Sequence, residues 1–312
     1  MLPPQTPGLS ATPVIVPACW KCPTCRAIKQ FPANPLDGHF KSTALVCSVC
    51  KEPHKIWDII LGLVRESSMW FGFSPLGATT SIFSTKIFRD TETHIDLQEY
   101  GLAKNAVILD INFTPDGGLF CFEMAGNTRR QRQKGAKLQL RGYKSFTLKD
   151  NSEDEAIVNI AVTWVESSEA DFAWNNLVAA FDAYADQNLQ GAIVPANVAM
   201  ENRLYNLMAQ EFGSACGKER LKDFLEGAAT YSYQLNVLLP YIARVRSIPV
   251  LDDTLRGLLN RLRGFRNDIA HKGHAGTDLT KDACAELLTA VVFGVRYLEL
   301  FSAIQPSAAP HP

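Results

Sequence analysis

The sequence predicts an α+β chain of several domains: a small N-terminal unit built on cysteine knuckles, an antiparallel β-sandwich or barrel-like middle domain, and a C-terminal helical bundle. Three observations carry that reading. Five of the eight cysteines fall between positions 19 and 50, short segments rich in β-formers run from about 56 to 165, and from about 169 onward apolar residues recur with a helical period. With 312 residues, 46% of them apolar, the chain is long enough for its parts to bury cores of their own. The expected boundaries are a flexible N-terminus over 1–16, the cysteine unit over 17–56, the β-rich domain over 57–165, the helical bundle over 166–305 and a loose tail over 306–312.

The cysteine unit comes first in chain order. Cys22-Pro-Thr-Cys25 and Cys47-Ser-Val-Cys50 are two CxxC knuckles, and two such pairs supply the four thiolates that a tetrahedral zinc ion takes. Cys19 with Cys22 is an alternative first pair, and His54 is a reserve ligand. A loop-rich segment of this size has almost no core, so a structural zinc is what stabilises it. The segment resembles a zinc ribbon. That resemblance predicts shape and leaves the partner open, while the four-thiolate donor set itself predicts a closed site that holds a fold.

The middle region contains SIFSTKIF, HIDLQEY, AVILDINF, GLFCFEM, KLQLRGYKSFTL and AIVNIAVTWV, all rich in Val, Ile, Phe and Thr. TPDG between AVILDINF and GLFCFEM is a hairpin signal, because Pro and Gly supply turn dihedrals. A basic run, NTRRQRQKGAKLQLR, places Arg129, Arg130 and Arg132 between expected strands. It is a candidate phosphate contact, although such a run is more often a solvated loop. Trp70, Phe71 and Phe73 are expected in a core.

The C-terminal region divides into DFAWNNLVAAFDAYADQ, VPANVAMENRLYNLMAQEFG, KERLKDFLEGAATYSYQLNVLLPYIARV, LDDTLRGLLNRLRGFRNDIAHKG and DLTKDACAELLTAVVFGVRYLELFSAI, about five helices. Asp252 or Asp253 caps the fourth, and Thr277 or Asp278 the fifth.

Bulk properties narrow the function classes. A formal net charge of -1 gives no global pull toward polyanions, so any nucleic-acid contact must be local. The N-terminus lacks a basic stretch and is broken by prolines, and no run reaches the roughly 20 apolar residues of a membrane helix. We expect a cytoplasmic protein with reduced cysteines and no membrane partner. No Walker loop, GxSxG elbow or HExxH helix is present.

The fourth helix ends unusually, in GFRNDIAHKGH. Leu255, Leu258, Leu259, Leu262, Phe265 and Ile269 fall on one side of its wheel. Asn267 and His271 share the other side, Asn260 and Arg263 lead into it, and Arg266 stands at the border. A second Arg-x4-His, Arg89 to His94, lies among strands and is read as an accident. Arg and His are favoured in the last turn of any helix by its dipole, and Gly273 is an ordinary stop, so the pattern has a plain structural explanation too.

Arg-Asn-x3-His at the end of a bundle helix resembles the HEPN superfamily, over about residues 169–305. The resemblance implies a homodimer whose motif helices face each other and form a composite, metal-independent endoribonuclease site. Arg266 and His271 match the catalytic pair and Asn267 its polar companion. Glu201 is a possible auxiliary residue on an earlier helix and His274 another in the following loop, while Arg263 and Lys272 are expected RNA contacts. The residue types suit the chemistry. An imidazole titrates near neutrality, and a guanidinium offers a planar fork to phosphate oxygens. Such architectures resemble defence or abortive-infection toxins released by a protein partner or a phage-derived trigger. The alternative is a non-catalytic HEPN-like module that binds RNA, a nucleotide or a protein.

Overall fold

The computed structural model describes residues 14–16, 19–32, 34–66, 78–88, 91–116, 120–124, 137–144, 155–166, 172–213 and 217–303. Its first elements are β1 (Val14–Val16), β2 (Cys19–Lys21), β3 (Ile28–Gln30), α1 (Asp37–Phe40), β4 (Leu45–Val46), β5 (Pro53–His54) and α2 (Ile56–Arg65). Strands β6 (Thr79–Phe88), β7 (Glu92–Asp96), β8 (Ala106–Asp116), β9 (Phe120–Met124), β10 (Lys137–Lys144) and β11 (Glu155–Glu166) follow. Then come α3 (Phe172–Ala185), α4 (Leu189–Phe212), α5 (Lys218–Asp223), α6 (Tyr231–Tyr233), α7 (Leu239–Val245), α8 (Asp253–Lys272) and α9 (Lys281–Ala303). The chain forms two compact units, Met1–Cys19 with Phe73–Ala170, and Trp20–Gly72 with Asp171–Pro312.

In the first unit the sheet orders are β1-β6-β11-β8 and β7-β10-β9. Every registered pair between these strands is antiparallel. Val158, Ile160, Val162 and Trp164 alternate along β11 and are buried with Phe83 and Ile87 of β6 and Leu138 and Leu140 of β10. Period-2 spacing puts these side chains on one face, and each buried aliphatic one contributes roughly 1.5–3 kcal/mol. Phe83 stacks on Tyr100 with ring centroids 3.9 Å apart. Both sheets therefore feed one core.

Two expectations are corrected here. TPDG does not close a hairpin: β8 and β9 fall in different sheets, each pairing with a later strand. The 1–16 segment is not wholly without structure either, because Val14, Ile15 and Val16 pair with Ile82, Ser81 and Thr80 as an edge strand. Three consecutive β-branched residues suit that position.

The second unit joins the cysteine segment to the helices. Residues 57–65, expected to begin the β-rich region, are helical in α2. Ile56, Ile59, Ile60, Leu63 and Val64 follow the i, i+3, i+4, i+7, i+8 pattern and are all buried. α9 packs against α2, α3, α4 and α8. It can take that central place because it is apolar nearly all round, with every residue from Ala283 to Val295 buried except the half-buried Glu286.

Arg296 of α9 grips Asp37 of α1 through two bonds, Nε to Oδ1 at 2.7 Å and Nη2 to Oδ2 at 3.2 Å, and its third nitrogen reaches Glu299. Trp57 of α2 stacks on Phe293, centroids 5.3 Å apart. The cysteine segment is thus built into the helical core.

The helix termini also differ in detail from expectation. α4 starts at Leu189, with the Asn188 side chain accepting from the Gly191 N–H, so Pro195 lies inside it rather than at its start. The expected third helix breaks at Ala229, where Thr230 caps a new start, and the turns Phe224–Ala228 and Gln234–Leu238 are π-helical. Gln234, buried, donates to the Ala229 and Leu225 carbonyls and satisfies the break. α9 is capped by Thr280, whose hydroxyl accepts from the Ala283 N–H, not by Thr277 or Asp278.

Gly294 marks a tight crossing: a Cβ there would stand 2.9 Å from Met200 Sδ of α4 and 3.3 Å from Leu259 Cδ1 of α8. Gly294→Val is expected to destabilise the helical unit by about 1–3 kcal/mol, read by denaturant unfolding. An unchanged midpoint would mean that the three helices are not in close contact there.

Candidate functional site

The two knuckles are built alike. Cys22 N–H donates to Ala27 O and Arg26 N–H to Cys22 O, and the same pair of bonds recurs as Cys47 to Glu52 and Lys51 to Cys47. Each loop turns on a left-handed residue, Arg26 at φ 61° and Lys51 at φ 64°. Such a conformation costs an L-residue roughly 1–2 kcal/mol, offset where the paired backbone bonds hold it.

The knuckles bring Cys22, Cys25, Cys47 and Cys50 together, with all four sulfurs within 4.8 Å of one another. Metal–sulfur bonds of about 2.3 Å in a tetrahedron put sulfurs about 3.8 Å apart. The Cys22–Cys50 and Cys25–Cys47 separations are both 3.6 Å, so the donor set fits such an ion.

The thiols are electrically unequal. The Cys50 backbone N–H draws Cys47 down to about 6. At Cys50 the Glu52 backbone N–H also lowers, but desolvation and the sulfurs of Cys22, Cys47 and Cys25 prevail and push its thiol up to about 12. Sulfurs this close all ionise only around a cation. Cys19, in β2, stands outside the four. So does His54, whose Nε2 lies 3.3 Å from Cys22 Sγ, placed to donate to a thiolate. Trp20 holds the His54 ring edge-on at 5.8 Å.

The Arg-Asn-His sequence sits in the last two turns of α8. Asp252 starts that helix by accepting from the Leu255 N–H at 2.8 Å, and Leu255, Leu259, Leu262 and Phe265 bury its inner face. Arg266 and Asn267 are half-buried, and Arg266 Nη1 donates to Asn267 Oδ1 at 3.2 Å. His271 is exposed, and its ring makes no hydrogen bond with any described residue. Over five residues a helix rises about 7.5 Å and turns about 140°, so one chain's Arg266 and His271 do not point the same way.

The helix ends at Gly273, φ 78°, whose N–H donates to Ile269 O. Gly273→Ala is expected to cost about 1 kcal/mol, because a side chain is strained at that φ. Thermal unfolding reads it, and an unshifted midpoint would refute the cap's role.

The expected auxiliaries divide. Arg263 faces inward: its guanidinium lies over the Tyr231 ring at 5.1 Å, and its Nη1 is buried without a hydrogen bond. Burial pushes the Tyr231 hydroxyl upward, reinforced by Glu201 and opposed by Arg263. Glu201 and Arg263, both half-buried, thus act on one buried phenol, and Arg263 is turned toward the bundle. Lys272 pairs with Asp268 at 2.8 Å. His274 accepts from the Gly276 N–H through Nδ1 at 3.2 Å, in the loop after the helix. Arg129, Arg130, Arg132, Trp70, Phe71, Phe73 and Arg89 lie outside the described residues. His94 belongs to strand β7.

Sequence reasoning did not find a cavity of about 420 Å³ where α2 meets the start of α8. His39, Lys55, Trp57, Asp58 and Asp252 line it, and His39 Nε2 lies 3.3 Å from Asp252 Oδ2. Nothing in the spacing of these residues announces it, because His39 and Asp252 are 213 positions apart.

Compared with known protein families, with curated proteins and with solved structures, the chain matches none. Among the described residues no helix is long and apolar enough to cross a membrane.

Proposed function

We propose that the chain is a HEPN-type endoribonuclease that cuts RNA without a catalytic metal, acting as a homodimer in the cytoplasm as a defence or abortive-infection toxin. The observation that carries this reading is the end of α8, which bears a paired guanidinium and amide and, about one turn on, an exposed imidazole that makes no hydrogen bond with any described residue. In the reaction, His271 of one subunit takes the proton of a 2′-hydroxyl, whose oxygen bonds to the adjacent phosphorus. The phosphorus–O5′ bond breaks, and the partner's His271, protonated, gives its proton to the departing oxygen. Arg266 binds the phosphorane oxygens through its donor fork. Zinc held by Cys22, Cys25, Cys47 and Cys50 supplies a closed, structural centre, and the sandwich-like β unit serves in sensing or regulation.

A labelled single-stranded RNA incubated with purified protein tests this, beside Arg266→Ala and His271→Ala. Equal cleavage by all three would reject the enzyme. A second reading, a non-catalytic module that binds a nucleotide or another ligand, draws on the cavity between α2 and α8. It predicts binding without RNA cutting in the same assay.

A further inference from the structure

The rod over 231–245, made of α6, the π-turn Gln234–Leu238 and α7, carries an outer face that the chain leaves open. Tyr233, Val237, Tyr241 and Val245 recur at intervals of four and are 44%, 46%, 64% and 65% exposed. No charged residue occurs from 227 to 243, although one residue in five of the chain is charged. A solvated helix face normally carries charge.

We propose that this face is the homodimer interface, taken by the same face of a second copy running antiparallel. Four observations select that occupant. First, the order of sizes is self-complementary. About a two-fold axis at position 239, Tyr233 meets the partner's Val245 and Val237 meets the partner's Tyr241, so each ring lies on a small side chain. A parallel arrangement would set ring against ring and leave gaps between the valines.

Second, the charges allow it. Arg244 is the exposed cation of the rod, and the axis carries it to the uncharged end of its mate. Arg246 is already held by Glu211 through bonds of 3.0–3.2 Å. The neutral face offers an anionic lipid or a nucleic acid nothing to bind.

Third, the open area suits the apolar centre of an interface whose rim lies beyond the stripe. The four side chains leave on the order of 400 Å² open, about half of the ~800 Å² per partner in a standard interface. Fourth, the surface continues onto the motif helix, where Asn236 and Asn260 exchange amide bonds of 3.0 and 3.2 Å. The adjoining polar face of α8 supplies the rim.

The inference deepens the two-copy requirement of the proposed nuclease by naming its surface. Its test reads mass rather than cleavage, so the two fail separately. Sedimentation of the full chain at micromolar concentration is expected to give twice the 34.4 kDa protomer. Tyr241→Glu is expected to weaken the dimer by about 30-fold or more, with the far-ultraviolet circular dichroism unchanged. Val245→Glu, at the end of the stripe, does the same should the first variant fail to fold. In V237K/Y241E the new opposite charges face each other across the axis, and the dimer is expected to return. A wild-type monomer, or a dimer indifferent to Tyr241→Glu and Val245→Glu, would overturn the interface. Monomeric V237K/Y241E would overturn the antiparallel order.

Discussion

Protein carrying His271→Ala is expected to cut RNA about 10²–10⁴-fold more slowly than the unmodified chain, the usual worth of a positioned general acid or base. Its thermal midpoint should stay in place, because the imidazole is exposed and makes no hydrogen bond with a described residue. Arg266→Ala is expected to show a loss of similar size with a small cost in stability, since its bond to Asn267 goes too. Arg266→Lys keeps the charge but not the planar fork and should recover only part of the rate. The double variant should be little worse than either single one, as groups acting in one step are not additive. Expression in growing cells gives an independent readout: toxicity should vanish with the cleavage. A His271→Ala protein that cleaves and poisons at the wild-type level would remove His271 from the chemistry.

Metal removal is expected to have the largest effect on stability. Structural zinc contributes apparent binding energies of about 10–16 kcal/mol in zinc-finger peptides, comparable with the 5–15 kcal/mol that holds a whole domain. Chelation, Cys22→Ser or Cys47→Ser should therefore unfold the knuckles, with release of about one zinc per chain. The loss should not stop there. α1 and α2 would withdraw Asp37 from Arg296 and Trp57 from Phe293, leaving a half-buried guanidinium with Glu299 alone and opening the side of α9. We expect the helical signal to melt at a clearly lower temperature. A melting curve indifferent to chelator would refute the structural role, whereas cleavage lost at once with the helices intact would contradict a metal-independent reaction.

The parts of the fold written in local patterns were legible. The alternation Val158, Ile160, Val162, Trp164 and the stripe Leu255, Leu259, Leu262, Phe265 each reflect a backbone period, and the paired CxxC spacing put four sulfurs within reach of one ion. What escaped depends on distant partners. β8 and β9 look like a hairpin because TPDG turns the chain, but strand pairing is decided by β10 and β11. The helical stripe of α2 was missed, because the segment was read as the start of the β-rich region, and its contact with a helix more than 200 positions away has no local signal. Arg263 was placed on a polar face by the wheel alone, which does not see Tyr231 beneath it. At the candidate site the residue types were readable, while the Arg266–Asn267 bond and the exposure of His271 needed coordinates.

The ion pair between Asp37 and Arg296 spans 259 positions, and that span sets a timetable for synthesis. At roughly 5–20 residues per second, a ribosome that has made Asp37 needs on the order of 13–50 s more to deliver its arginine. During that interval the knuckles have no helix to dock on and the motif helix has no completed bundle around it. A nascent chain with this wiring closes its helical unit around the knuckles only after residue 296 has left the ribosome.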